Sequence, residues 1–358
     1  MQRFKNILVV VDPDNPCDTL VGRAVSLARR NQASLTAVTF SEESLPDMST
    51  LAVTEPADVN INLIEEMPPD VSAQITSEAA EGLEIVNDTQ AALSPEMKAP
   101  YTVIQEQIAA AESHNFEKTI ASIRQAGVQI NGKVMSGTPF LEIIREVLRN
   151  EHDLVMIAAE NEGGLKKMLF GSTTMHLMRK CPCPVWVVKP GQPERYTRIL
   201  AAVDPTPHDD MQNALNDKIM ELSTSLARWE RSELLIIHTW TVFGESRLTH
   251  RGLPQQKVDK IVHETRDAHK RWLGTLLSKH HLEDLQHQVY MLKGEAGRLI
   301  PALAKAQEVD LIVMGTVSRT GIAGLLIGNT AEKVLNQVNC SMLTVKPEGF
   351  ITPVKLTA

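Results

Sequence analysis

The sequence predicts an α/β protein with two tandem doubly wound parallel-sheet domains in one chain. Three observations carry that reading. The chain repeats itself, its short unbroken apolar runs alternate with amphipathic helical segments, and the first run of each copy ends in Asp-Pro. Strands buried on both faces of a parallel sheet read as continuous apolar runs, and their alternation with helices through short loops is the pattern of a doubly wound sheet.

The duplication can be read directly. NILVVVDP, ending at Asp12-Pro13, recurs as RILAAVDP, ending at Asp204-Pro205. DLVMIA from Asp153 recurs as DLIVMG from Asp310, and VVKP ending at Pro190 recurs as TVKP ending at Pro347. Residues 153–190 align with 310–347 without a gap, so one structural plan is written twice. The expected first domain is 1–190, the Pro/Gly-containing linker is 191–197, and the second domain is 198–358.

Each copy then reads in the same order. ILVVV and ILAAV are the opening strands, DTLVGRAVSLARRN and NDKIMELSTSLARWE the helices after them, and SLTAVTF and ELLIIHTW the second strands. A long helix (NFEKTIASIRQAG; VHETRDAHKRWLGTLLSKH), a strand (VQINGKV; HQVYML) and a helix (PFLEIIREVLRN; GRLIPALAKAQ) follow. The strands DLVMIA and DLIVMG, with a last helix and strand, close the copies. Right-handed crossovers then make each sheet doubly wound, with its ligand crevice beyond the carboxyl ends of the strands, where strand order reverses.

The first copy is longer, and the excess is visible. From Asn31 to Met97 there is no Lys or Arg, while carboxylates recur from Glu42 to Glu96. Pro46, Pro56, Pro68, Pro69 and Pro95 oppose a continuous helix, although SAQITSEAAEGLEIV suits a short one. Region 41–97 is expected to be a mobile acidic surface insertion, with a lid or a partner-docking segment as the alternatives.

Bulk composition excludes several classes of function. With 43% apolar and 22% charged residues over 358 positions, the chain is globular and long enough for two cores. A formal charge of −8 supplies no net field to hold it on nucleic acid or an anionic membrane. ILVVV is too short for a signal peptide, and no later run approaches the roughly eighteen apolar residues of a membrane span. The expected location is therefore the cytoplasm, with neither nucleic acid nor membrane as partner.

Candidate chemistry is sparse. Cys17, Cys181, Cys183 and Cys340 do not form a disulfide framework, and Cys181-Pro182-Cys183 lacks C-x-x-C spacing, so these two read as buried reduced thiols. His208-Asp209-Asp210 and His280-His281 lack recognised ligand spacing, so no metal site is expected. Lys166-Lys167 and Arg179-Lys180 read as a solvated basic face, with an anionic partner as the alternative. No nucleophile with an identifiable base emerges, and no catalytic residue is assigned.

One stretch, GTVSRTGIAGLLIGNTAEKVL at 315–335, starts at the carboxyl end of DLIVM, a crevice position. It is neither a Walker loop nor G-x-G-x-x-G. Gly328 precedes a helix for which Asn329 reads as N-cap and Glu332 as the partner of a capping box. Its glycines either let a phosphate approach the first free amides of that helix or only turn the chain.

The tandem strand-Asp openings, the βαβ alternation and the closing G-x2-G-x9-G-[ST] block before a helix and a VVKP strand resemble the universal stress protein family. The second copy resembles in particular its tandem E-type members from Gram-negative bacteria. The resemblance implies an adenine-nucleotide α-hydrolase-like fold and a stress-response binding role, at most with slow ATP hydrolysis. It implies ATP, with Mg, in the second domain. It places Asp204, Pro205 and Thr206 at the base side, Thr239 beside the adenine, and Gly315, Ser318, Gly328, Asn329 and Thr330 at ribose and phosphate.

The match departs from the family pattern at Ser318, where the second glycine belongs, and at Asn329, where a hydroxyl residue belongs, with Thr330 following. In the first copy Ala158 and Asn161 replace the first two glycines, Gly171-Ser172 keep the ending, and Glu160 would repel phosphate. The first copy is therefore expected to bind nucleotide poorly. The alternative is a degenerate scaffold or carrier that meets a protein partner or an apolar small molecule through the crevice or the insertion. ATP pyrophosphatases share the fold but carry S-G-G-x-D-S where this chain has Asp-Pro, so adenylation is not expected. The two copies are expected to pack as a pseudo-twofold pair, the equivalent of a homodimer of single domains. Association of two chains into a homodimer is left open.

Overall fold

The computed structural model describes residues 4–13, 15, 17–40, 110–111, 113–159, 171–207, 210–242, 254–316 and 328–356, with the side chains of 210–212 and 329 outside it. The chain divides into two compact units, residues 41–115 and all the rest. The acidic region 41–97 lies outside the described residues, as do Lys166 and Lys167. The larger unit carries the duplicated fold.

Among the described residues, ten strands form one sheet. The first half supplies β1 (Asn6–Val10), β2 (Ser34–Phe40), β3 (Ile130–Met135), β4 (Leu154–Ala158) and β5 (Val185–Val188). The second supplies β6 (Arg198–Ala202), β7 (Glu233–Trp240), β8 (His287–Lys293), β9 (Leu311–Gly315) and β10 (Ser341–Val345). Their order is β3-β2-β1-β4-β5-β10-β9-β6-β7-β8, so each half runs third, second, first, fourth, fifth from its own edge. Every neighbouring pair is parallel except β5 and β10, which join the halves antiparallel with Val187 opposite Met342 and Trp186 opposite Leu343. The expected pseudo-twofold pairing is thus made through backbone hydrogen bonds of a continuous sheet.

Alternation along the strands builds two cores, one on each face. Ile7, Val9, Ile199, Ala201, Leu311 and Val313 point to one core; Leu8, Leu200, Val155, Val185, Ile312 and Met314 point to the other. Helices α1 (Asp18–Asn31) and α2 (residues 113–125) supply Leu20, Ala24, Leu27, Phe116, Ile120 and Ile123 to the first core. Helices α3 (Pro139–Asn150) and α4 (Ser172–Lys180) supply Ile143, Ile144, Val147, Leu177 and Met178 to the second. In the second half, α5 (Asp210–Glu230) and α6 (Gln255–Ser278) cover the first core, and α7 (Ala296–Ala306) and α8 (Asn329–Leu335) the second. A stripe of apolar residues on one helix face, laid on a sheet apolar on both faces, accounts for this three-layer arrangement.

Local sequence explains the ends of these elements. Helix α3 opens with Pro139, whose missing N–H is no loss in a first turn, and stops at Glu151 in the left-handed region at φ 54°. Pro301 lies inside α7 and leaves the carbonyl of Gly297 without its helical donor. Gln337, just after α8, donates its Nε2 to that carbonyl at 3.1 Å. A Cβ on Gly297 would lie 2.9 Å from Lys333 Cβ, so the two helices approach closely where glycine allows it.

The linker is anchored. Tyr196 is 1% exposed, and Arg23 of α1 lays its guanidinium 3.4 Å from the centre of that ring. Arg23 pairs with Glu230 at the end of α5 at 2.9 Å and donates to Pro193 O at 2.8 Å. Glu230 also accepts from Tyr196 N–H at 3.1 Å. Burial pushes the Glu230 carboxyl up, against the pull of Arg23. A buried ion pair contributes stability only when both charges are hydrogen-bonded, as here.

Candidate functional site

The register of the second half brings the predicted base-side residues into one row. Ala202 of β6 pairs with Ile237 of β7 and with Met314 of β9. Asp204, Thr239 and Thr316, each two residues further on, therefore emerge together at the carboxyl ends of three adjacent strands. β6 is also where the order reverses, with β7 on one side and β9 on the other. This is the position at which doubly wound sheets hold ligands.

Asp204 is held from below. Asn216 of α5, 1% exposed, donates from Nδ2 to Asp204 O at 2.7 Å and accepts from Asp204 N–H at 2.9 Å. The Asp204 carboxylate accepts from the Thr206 hydroxyl at 2.6 Å, and Pro205 between them is buried. Thr239 is half-buried. The residue before it, His238, is 1% exposed and sets Nδ1 3.3 Å from Val203 O. A carbonyl can only accept, so Nδ1 carries the proton there and Nε2 accepts from His269 Nδ1 at 2.8 Å. Burial pushes His269 down, while the Asp204 charge pulls it up. Trp240 and Trp272 flank His269 at ring distances of 5.9 and 4.9 Å.

The glycine stretch divides into two cases. A Cβ on Gly315 would lie 2.8 Å from Leu215 Cδ2, so the packing of α5 on the sheet by itself disfavours a side chain here. Gly328 is different. Its φ of −63° and ψ of 137° suit any residue, and its N–H donates to Thr316 O at 3.0 Å. Ser318 and residues 317–327 lie outside the described residues, as does the Asn329 side chain; Thr330 is half-buried in the first turn of α8.

The N-cap of α8 falls one residue before the expected Asn329, whose side chain lies outside the described residues. Gly328 is the N-cap of α8, without a side-chain cap, and the Glu332 carboxylate accepts from Arg179 Nη2 of α4 at 2.8 Å. An arginine from the other half outbids the local amide because a charge-assisted bond to guanidinium is the stronger contact. The same pair corrects the reading of Arg179 as a solvated residue, while Lys180 lies 4.9 Å from the Phe140 ring.

Thr316 and Lys346 connect this site to the first half. Thr316 is fully buried and donates from its hydroxyl to Met178 O at 3.1 Å. Lys346, 2% exposed, donates from Nζ to Met178 O at 2.6 Å, to Arg179 O at 3.2 Å and to the Thr316 hydroxyl. Burial pushes its ammonium down to about 7, and the Cys181 thiol opposes that change. Sequence reasoning missed Asn216, the His238–His269 pair and Lys346. The available signal was a polar residue inside an apolar helix face or strand.

The first half differs at the same positions. With SLARRN aligned on SLARWE, Cys17 stands where Asn216 brackets the strand end, and Phe40 stands where Thr239 is. Phe40, Val10, Met135, Phe140 and Met175 are partly buried apolar groups against the second core. Glu160 and Asn161 lie outside the described residues. Cys181 and Cys183 are free and buried, with sulfurs 3.5 Å apart. An open groove of about 570 Å³ between α5 and the end of α6 is remote from this crevice, and its cations are engaged, Arg228 with Asp284 and Lys279 with Asp217. His280 Nε2 lies 3.4 Å from Asp217, too poorly aligned for a hydrogen bond. Among the described residues no group of three or more potential ligands gathers to hold a metal, and no helix is long and apolar enough to cross a membrane. His208 and Asp209 lie outside them.

Fold and crevice together define a class, a duplicated Rossmann-like α/β protein with ligand positions at the strand ends. A family model for the universal stress protein family matches residues 3–71, 72–189 and 195–346, its break falling inside the acidic stretch. The chain belongs to the universal stress protein family, and its curated relatives include proteins named universal stress protein E. It is similar to universal stress protein E of Salmonella typhi, 32% identical over 234 residues, covering 65% of this chain and 73% of the relative. The protein of that name from Photorhabdus laumondii is 25% identical over 358 residues, 99% of each chain. A solved structure of a Pseudomonas aeruginosa protein of unknown function shares the fold at a TM-score of 0.61 and 22% identity, covering 97% of this chain and 94% of that one.

Proposed function

We propose that this protein is a binding and regulatory member of its family whose second half takes ATP or a related adenine nucleotide. The observation that carries the reading is the single row of Asp204, Thr239 and Thr316 at the strand-order reversal, with Asp204 fixed by Asn216. Asp204, Pro205 and Thr206 would meet the base side, Thr239 the adenine, and Gly315, Ser318, Gly328, Asn329 and Thr330 the ribose and phosphates. Mg would accompany the phosphates.

The test is native mass spectrometry of the full chain followed by calorimetric titration with Mg-ATP. Cyclic AMP and dAMP, with which other universal stress proteins have been solved, are titrated alongside. One nucleotide per chain, lost in Gly328→Glu, supports the reading. The φ of −63° at Gly328 accepts a side chain, so the variant should fold. Unchanged affinity in that folded variant overturns the site. The first half supports a second reading, an apolar small molecule, because Phe40 and Met135 at the ends of β2 and β3, and Phe140 and Met175 in the first turns of α3 and α4, are partly buried apolar groups. A copurified apolar mass retained by Gly328→Glu would favour that occupant.

A further inference from the structure

The two copies of the VKP sequence do the same thing unequally. Each lysine crosses to the end of the other half's last helix. Lys189, half-buried, donates to Asn339 O, past the end of α8, at 3.0 Å. Lys346 is almost wholly buried and donates to the last carbonyls of α4, Met178 O and Arg179 O. Only Lys346 also reaches the crevice of its own half, through the Thr316 hydroxyl. Thr316 in turn accepts the Gly328 N–H on its carbonyl, at 3.0 Å.

We propose that Lys346 is a positioning residue for the second-half ligand site, fixing the end of β9 and the Gly328 amide against helix α4 of the first half. The proposal rests on the reading of the second half as the one that binds. It gives the tandem arrangement a role, because the packing of α4 bears directly on the backbone beside the ligand. A second bridge runs in parallel, from Arg179 of α4 to Glu332 of α8.

The donor count fits an ammonium. Three N–H groups meet three acceptors, and the Thr316 hydroxyl is left to donate to Met178 O. A neutral amine keeps two N–H groups, so one of these bonds is lost, either a bond from Nζ or, if the Thr316 hydroxyl turns to the lone pair, its bond to Met178 O. The ionisable groups facing the amine are Cys181 from the end of α4, with Arg179 of that helix already engaged by Glu332 of α8. From the following tail the Phe350 ring lies 5.0 Å from Nζ. Among the described residues no carboxylate pairs with Nζ, so a proton on this amine is held by dipoles alone.

The test compares full-length wild type with Lys346→Met, with Lys189→Met as the matched control and Thr316→Val as the second variant. Deuterium exchange is read on the peptide that carries Gly328, and affinity for Mg-ATP by calorimetry. The expected result is about tenfold faster exchange and at least fivefold weaker binding in Lys346→Met, with Lys189→Met within twofold of wild type. Equal protection in Lys346→Met and wild type overturns the proposal, as does an equal effect of Lys189→Met. Should Lys346→Met fail to fold, Thr316→Val decides, and unchanged exchange there refutes the strut. If wild type binds no nucleotide, the functional reading fails, and the exchange comparison still judges Lys346.

Discussion

Replacing Lys346 with methionine should change how stability depends on pH, and the size of that change follows from burial. The amine titrates near about 7 in the folded protein, against an ordinary lysine value of 10.5. Between those two values the unfolded chain binds the proton that the folded chain has released. Stability therefore rises with pH across this window, and below about 7 the contribution is flat because both states are protonated. A proton bound by one state alone tilts the balance by about 1.4 kcal/mol for each pH unit, so wild type should gain that much per pH unit relative to Lys346→Met from pH 7 upward. Other lysines, cysteines and tyrosines titrate in both proteins, so the difference between the two isolates this group. Urea unfolding followed by tryptophan fluorescence at pH 6, 7, 8 and 9 measures it, since Trp186 and Trp240 are buried. Parallel stability curves across that range would show that the amine is not desolvated as described.

Three further outcomes are expected. Arg23→Met strands the Glu230 carboxylate in the interior and should cost about 3–5 kcal/mol in urea unfolding; a loss under 1 kcal/mol would mean that the pair is hydrated in solution. Gly315→Ala sets a methyl 2.8 Å from Leu215 Cδ2 and should cost about 1–3 kcal/mol by the same assay, whatever the ligand state; a neutral result would show that Leu215 can retreat. Asn216→Ala unties both backbone groups of Asp204, at about 1–3 kcal/mol, and should weaken Mg-ATP binding beyond the effect of Gly315→Ala. Calorimetry that finds the opposite order would move the base side away from Asp204.

Much of the fold is legible in the sequence because it depends on local chemistry. ILVVV and ILAAV are buried on both faces and could only be central strands, and the duplication required the second half to repeat the order of the first. What escapes depends on partners distant in sequence. Glu332 looks like a capping residue until α4 brings Arg179 beside it from 153 positions away. Lys346 shares the VKP context of Lys189, and only its contacts with Met178, Arg179 and Thr316, distant in sequence, show that it is buried. Gly315 looks like a ligand glycine, yet the Leu215 methyl packed against it already disfavours a side chain, a fact that no spacing rule contains.

The antiparallel seam also bears on how the protein is made. β10 is the last of the ten strands to leave the ribosome, yet it lies in the middle of the sheet, between β5 and β9. Until it emerges, β5 and β9 both present bare hydrogen-bonding edges, and the first half must wait through the synthesis of most of the second with its β5 edge open. Open edges in nascent chains invite pairing with other chains. The protein is therefore made by a route that closes only at the last strand, and interrupted synthesis leaves fragments with a sticky rim.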